Sequence, residues 1–188
     1  MDFKVAVYGD YERIASLHTQ SWKMFYPGFL APQYLDHEIM AERRVIWQTR
    51  LINPPFNQHV LMLKEGGLLC GFICAFGNHD FEKGTFIDAL HVDSNYLGRG
   101  LGIKLISQLA QWVVKYFPNN GVYLHVIKSN HRAVRFCEYL GGEFVQERIW
   151  KAPCGTQIPE IVYRWESAVG LLKNTMCHES RANCIQLS

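Results

Sequence analysis

Residues 84–117 commit this chain to an architecture that mixes strands and helices. Gly84 to Val92 is an apolar run of strand character, glycines stand at 98, 100 and 102, and a helical pattern starts at Leu101 and continues to Phe117. Leu101, Leu105, Leu109, Val113 and Phe117 form one stripe of that helix. Lys104, Gln108, Gln111 and Lys115 form the opposite stripe, as expected of a helix lying on a core. A strand that turns through glycines directly into a helix leaves the first amide N–H groups of the helix without carbonyl partners. Such a row of amides at the positive end of a helix is an anion site.

The rest of the chain supplies both kinds of element. Phe3 to Tyr8 alternates as a strand, and Asp10 caps a helix over Tyr11 to Met24 whose inner face carries Ile14, Leu17, Ser21 and Met24. Tyr26-Pro27-Gly28 breaks that helix, and Pro32 to Leu51 reads as a second helical region, in one or two pieces. His59–Lys64 and Leu68–Phe76 form a hairpin around Glu65-Gly66-Gly67. Val122–Ile127 is a short strand. Asn130 caps a helix over His131–Leu140 that Gly141-Gly142 ends. Phe144–Trp150 and Ile158–Trp165 make a last hairpin. This order predicts a single α/β domain over residues 1–166, with a mixed central sheet flanked by helices. Residues 167–188 are expected to be a tail with a short helix and a loose end.

Several functions are disfavoured at this stage. A net charge of +2 gives no basic field for nucleic acid. No apolar run has the length of a membrane span, and the first residues lack a signal-peptide core. The six cysteines form no C-x-x-C pair and no Cys/His spacing typical of zinc. The expectation is a cytoplasmic protein with reduced thiols and no metal.

The glycine spacing separates the phosphate motifs. A P-loop requires Gly-Lys-Ser/Thr, whereas Gly102 precedes Ile103 and Lys104; a dinucleotide fingerprint requires G-x-G-x-x-G, whereas the spacing here is G-x-G-x-G. The strand, the loop Leu97-Gly98-Arg99-Gly100-Leu101-Gly102, the amphipathic helix and the later block Asn130-x-x-Ala133-x-x-Phe136 with Gly141-Gly142 together resemble the GNAT family of N-acetyltransferases. The resemblance implies acetyl-CoA as acyl donor, with no metal. It places Leu90, His91 and Val92 beside the pantetheine arm, and the amides from Leu97 to Gly102 on the pyrophosphate. Asn130 would bond the pantetheine or a nearby backbone group. His91, whose side chain alternates away from that of Leu90, is otherwise read as structural.

Two positions depart from the family pattern. Leu97 stands where Arg or Gln is usual; backbone amides still serve, and Arg99 is either a phosphate contact or a solvated surface residue. Cys137 stands where the family has the Tyr associated with protonating the leaving thiolate. It is either a substitute acid or a small core residue. Tyr139, two residues on, should point to nearly the opposite side of the helix.

For the base that removes the amine proton, the candidates are His125, which titrates near neutrality, and Asp88, an unusual carboxylate in an apolar strand. Trp22 and Tyr26, four apart, can wall the acceptor site or pack the core. The resemblance implies transfer to a primary amine in a ternary complex, with a small molecule as first acceptor class. A peptide or protein amine is the other acceptor class, and a non-catalytic acyl-CoA-binding sensor is the reading outside enzymes. It also implies a homodimer as a frequent family state.

Overall fold

The structure, a computed structural model, describes residues 1–185, with side chains through residue 178. Seven strands form one sheet: β1 (Asp2–Val5), β2 (Gln58–Glu65), β3 (Leu68–Asp80), β4 (Gly84–Val92), β5 (Val122–Ile127), β6 (Glu143–Lys151) and β7 (Gln157–Trp165). Their spatial order is β1-β2-β3-β4-β5-β7-β6, and every neighbouring pair is antiparallel except β4 and β5. Among the described residues the five α-helices are α1 (Tyr11–Phe25), α2 (Ile39–Ile52), α3 (Leu101–Tyr116), α4 (His131–Tyr139) and α5 (Ala168–Ile185). The expected mixed α/β sheet flanked by helices is therefore present. Among the described residues no helix is long and apolar enough to cross a membrane.

The alternation of apolar residues decides which helix covers which face. Ile73, Leu124 and Val126 of the sheet meet Leu105 and Leu109 of α3, together with Cys137 and Leu140 at the end of α4. Met62 and Phe72 point to the other face, against Ile14 and Leu17 of α1 and Trp47 and Leu51 of α2. Burying each such leucine contributes about 2 kcal/mol, so the stripe on α3 alone outweighs the cost of its glycine-rich entrance. A third cluster gathers Trp22, Tyr34, Leu35, Ile127 and Ile158 at one end of the sheet.

Four expectations are corrected. β1 stops at Val5, because residues Tyr8–Asp10 tighten into a 3₁₀ turn. Asp10 precedes α1 but makes no capping bond to it; its carboxylate accepts from the Val7 amide at 3.0 Å and pairs with Lys4 at 3.1 Å. Met24 is 54% exposed, because at this end of α1 it is Trp22 that turns inward. The segment after Glu166 is a long helix whose Ala168, Leu171 and Thr175 are buried, the first two within the core beneath α3. Residues 186–188, where the loose end was expected, lie outside the described residues. The Pro32–Leu51 region is divided, with a π-helical turn over Tyr34–Glu38 ahead of α2.

Candidate active site

The parallel ladder between β4 and β5 is short. Thr85, Phe86 and Ile87 pair with Val122, Tyr123 and Leu124, and there the pairing stops. On its other side β4 remains bonded to β3, through Leu90 with Ile73, His91 with Phe72 and Val92 with Gly71. Asp88 is an extra residue, because Ile87 pairs with Ala75 while Ala89 pairs with the adjacent Cys74. This bulge kinks β4 at the point where it leaves β5. The parted strands open a cleft of about 880 Å³ that runs between the two halves of the sheet.

At one mouth of the cleft lies the glycine loop. Asp93 accepts from the Asn95 amide at 2.8 Å and starts a 3₁₀ turn over Ser94–Tyr96. Gly98 and Gly100 have φ of +79° and +71°, a region that side-chain-bearing residues avoid. Gly100 is the N-cap of α3 and offers no side chain to its amides. Among the described residues, the backbone amides of residues 98–103 have no backbone acceptor, whereas the Lys104 amide already donates to the Gly100 carbonyl at 3.2 Å. A row of amides thus faces the cleft at the positive end of a sixteen-residue helix. Asn130 caps α4, its Oδ1 accepting from the Ala133 amide at 3.1 Å.

The cleft brings together nearly every residue singled out from the sequence. Trp22, Tyr26, Asp88, Leu90, His91, Val92, Leu97, Gly98, Gly100, Leu101, Gly102, His125, Asn130 and Cys137 all line it. Arg99 does not. Its guanidinium lies 3.6 Å from the Glu65 carboxylate and 4.8 Å from the centre of the Tyr96 ring, at the surface. Cys137 is 1% exposed within the main core, and burial pushes its thiol up to about 12. Tyr139 touches the cleft but is 53% exposed and its ring stacks on His178 at 3.8 Å, while Cys137 two residues before it is in the core, as the helical wheel expects.

Beyond the loop, the cleft passes between β5, β6 and β7. Here His125 faces Arg148, whose Nη1 lies 3.0 Å from Nδ1 and 3.4 Å from Nε2 of the imidazole. Burial and then the Arg148 charge lower His125 to about 4. Glu160 of β7 is 8% exposed, 3.5 Å from Arg148 Nε and 4.0 Å from His125 Nδ1. Burial raises its carboxyl above the usual range, with Arg148 opposing. Asp88 is held in a 2.6 Å ion pair with Arg50 of α2. Trp22, Tyr26 and Trp150 pack together as an aromatic wall, Trp22 lying 5.1 Å from Tyr26 and 5.8 Å from Trp150 between ring centres. Burial and the nearby Glu160 raise the Tyr26 hydroxyl to about 12.

Reading the sequence missed Glu160, Arg148, Arg50 and Arg43. The available signal for Glu160 was the one used for Asp88, a carboxylate inside an apolar run, Ile158-Pro159-Glu160-Ile161-Val162.

His91 closes the floor of the cleft toward α1. Its Nδ1 bonds Ser21 Oγ at 2.7 Å, and its ring lies 4.4 Å from that of His18, which accepts from Trp47 Nε1 at 3.2 Å. Burial, then the charge of Arg43, lowers His91 to about 3, and His18 is also held well below the ordinary imidazole value. Both therefore stay neutral in the folded protein while the unfolded chain takes up protons near pH 6.5. Below that pH the unfolded state binds more protons, so stability falls as pH falls from about 6.5 toward 3. The melting temperature is expected to drop between pH 7 and pH 5, and His91→Gln to flatten that slope. Equal slopes in the two proteins would show that His91 is not a source of the dependence.

The chain matches the acetyltransferase (GNAT) family over residues 14–141. It is 29% identical over 60 residues to spermine/spermidine N(1)-acetyltransferase of Bacillus subtilis strain 168, a match that covers 32% of this chain and only 40% of that protein. Among solved structures, an N-acetyltransferase of Thermoplasma acidophilum in complex with coenzyme A superposes with a TM-score of 0.61 at 18% identity, covering 85% of this chain and 98% of that one. A variant of the spermidine N-acetyltransferase of Vibrio cholerae gives a TM-score of 0.66 at 13% identity, covering 92% and 98%. At these identities the two structures show likeness of fold.

Proposed function

The chain belongs to the GNAT family of acetyltransferases, and on that premise we propose that it moves the acetyl group of acetyl-CoA to the primary amine of a small molecule, by direct attack of the amine in a ternary complex. The observation that carries this reading is the parting of β4 from β5 beside a row of amides with no backbone acceptor. These residues fit the donor in two ways. The edge of β4 from Leu90 to Val92 faces the cleft with no strand beside it, so its peptide groups can pair with the amides of a pantetheine arm. The amides of residues 98–102 can take the pyrophosphate, with the left-handed glycines keeping that backbone bare, whereas the Leu97 amide already donates to the Ser94 carbonyl. The bound donor would supply an acetyl group already activated as a thioester.

The acceptor enters from the side of the aromatic wall, where Trp22 and Tyr26 are the substrate-facing residues. At neutral pH an alkylamine is mostly protonated, so a group in the cleft must take a proton before attack. Glu160 is the base we assign, directly or through a water. A carboxylate held above its usual range is a stronger base than an imidazole lowered to about 4 whose Nδ1 already faces Arg148. Asp88 is less suited, because Arg50 holds its carboxylate in a 2.6 Å hydrogen-bonded pair, whereas Arg148 stands 3.5 Å from Glu160. His125 orients Arg148 against Glu160. Glu160 takes the ammonium proton and passes it to solvent. The neutral amine nitrogen then bonds the acetyl carbon and the carbon–sulfur bond breaks. The second nitrogen proton goes to water, which delivers one to the leaving thiolate, so an ammonium and acetyl-CoA give the amide, the CoA thiol and one solvent proton. A thiol at about 12 is a weaker acid than an ordinary thiol near 8.5, so Cys137 does not protonate the leaving sulfur; water in the open cleft does. We assign Cys137 to packing and Asn130 to holding α4 in place.

Calorimetric titration with acetyl-CoA, with ATP as control, tests this reading. Saturable binding of acetyl-CoA and none of ATP, followed by CoA release on adding an amine, is the expected result. Binding without CoA release for any amine supports the sensor instead. Absence of binding by folded protein removes the donor site and the transferase with it.

A further inference from the structure

The cleft as a whole carries more guanidinium groups than carboxylates, and one of its two carboxylates is the proposed base. Its charged lining consists of Arg43, Arg50, Arg132 and Arg148 against Asp88 and Glu160. Asp88 is bound to Arg50 at 2.6 Å, which leaves Glu160, 3.5 Å from Arg148 and assigned to the amine proton. A polycationic acceptor would therefore find no second free carboxylate among the described lining residues. On the basic side Arg43 keeps one N–H unused although it is ion-paired. It is 7% exposed, and its Nε has no hydrogen-bond partner. Its Nη2 lies 3.1 Å from Glu42, which lies outside the cleft lining and also accepts from the Tyr34 hydroxyl. The guanidinium covers the Trp22 ring at 4.4 Å, and its charge bears on His91 and on Tyr26, so it faces the same space as the aromatic wall. A buried N–H with no acceptor is costly in a native structure, and an arginine fork is well matched to a planar or tetrahedral anion.

We infer that the acceptor carries an acidic group beside its amine, a carboxylate or a phosphate, and that Arg43 receives it while the amine lies toward Glu160. This rests on the acyl-transfer reading and narrows it. The acceptor class is an amino acid or other acid-bearing amine, in contrast to the polyamines named for the relatives from Bacillus subtilis and Vibrio cholerae. Nothing in the inference requires a particular side chain, although the aromatic wall gives a flat apolar surface beside the anion.

The test compares matched amines that differ by the acidic group: phenylalanine with 2-phenylethylamine, lysine with cadaverine, and O-phosphoethanolamine with ethanolamine, with spermidine alongside. CoA release is the readout. In at least one pair the acidic member is expected to have kcat/KM at least about tenfold higher. The phosphate and carboxylate pairs separate the two anions. R43Q is expected to lower kcat/KM for the acidic member at least about tenfold more than for its neutral partner, mainly through KM. R43K, which keeps the charge but not the fork, should give a smaller loss and serves if R43Q melts early. Preference for neutral members or spermidine, or equal losses for both members in R43Q, overturns the inference. Acetyl-CoA affinity is measured on the same samples, so that loss of the donor site is told apart from loss of this acceptor assignment. Thermal shifts by the acidic amines alone, present in the natural chain and absent in R43Q, read the anion position without turnover; no shift and no turnover also overturns it.

Discussion

Replacing Gly100 with proline is expected to weaken acetyl-CoA binding at least about 100-fold. Proline holds φ near −65°, whereas Gly100 sits at +71°, and proline also removes one of the amides proposed to hold the pyrophosphate. A hydrogen bond to a charged group is worth about 1.5–3 kcal/mol, and the displaced loop would carry neighbouring amides with it. Gly100→Ala separates the two causes. A Cβ there meets nothing within 4 Å, so the cost of alanine is conformational, about 1 kcal/mol of stability, with the amide retained. Calorimetry should show the alanine variant within about tenfold of the natural chain and the proline variant far weaker, with melting curves showing that both fold. Retained affinity in the proline variant would remove the loop from the donor site.

Glu160→Gln should lower kcat/KM about 100-fold or more, the usual scale for losing a general base, with acetyl-CoA affinity kept. Glutamine preserves the shape and keeps an oxygen toward Arg148, so the loss isolates the charge and its basicity. The natural chain should lose activity on acidification through a group whose pKa lies above the ordinary carboxylate value near 4.3, because burial disfavours the charged form. That limb should vanish in the variant. His125→Ala provides the contrast: since the imidazole is held near 4 and faces a guanidinium, its loss should stay within about tenfold. A larger loss for His125→Ala than for Glu160→Gln would reverse the assignment.

The elements around the half of the cleft proposed for the donor were legible because local sequence builds them. Strand, glycines and helix follow one another within residues 84–117, and the bounds Gly84–Val92, Val122–Ile127 and the Leu101 start were read correctly. The Asn130 cap was legible for the same reason, as its partner is three residues away. The acceptor half depends on contacts between distant segments. Arg50 meets Asp88 across 38 residues, and His125 meets Arg148 across 23; neither pairing leaves a periodic trace. The bulge at Asp88 alters the simple alternation, since Ile87 and Ala89, two apart, belong to cores on opposite faces. Helix α5 was underestimated because its pattern is weakly amphipathic, and its burial comes from α3 rather than from its own sequence.

The parting of β4 from β5 has a consequence for solubility. An unpaired strand edge usually acts as a template for other chains, which proteins block with charge, proline or a covering element. Here the bare edge from Leu90 to Val92 is half-buried at the floor of a cleft, inside the sheet and not at its rim. Recession does the protective work. A second chain approaching as a strand would have to enter the cleft between the two halves of the sheet to reach those groups, so their interior position shields them as a covering element would at a rim.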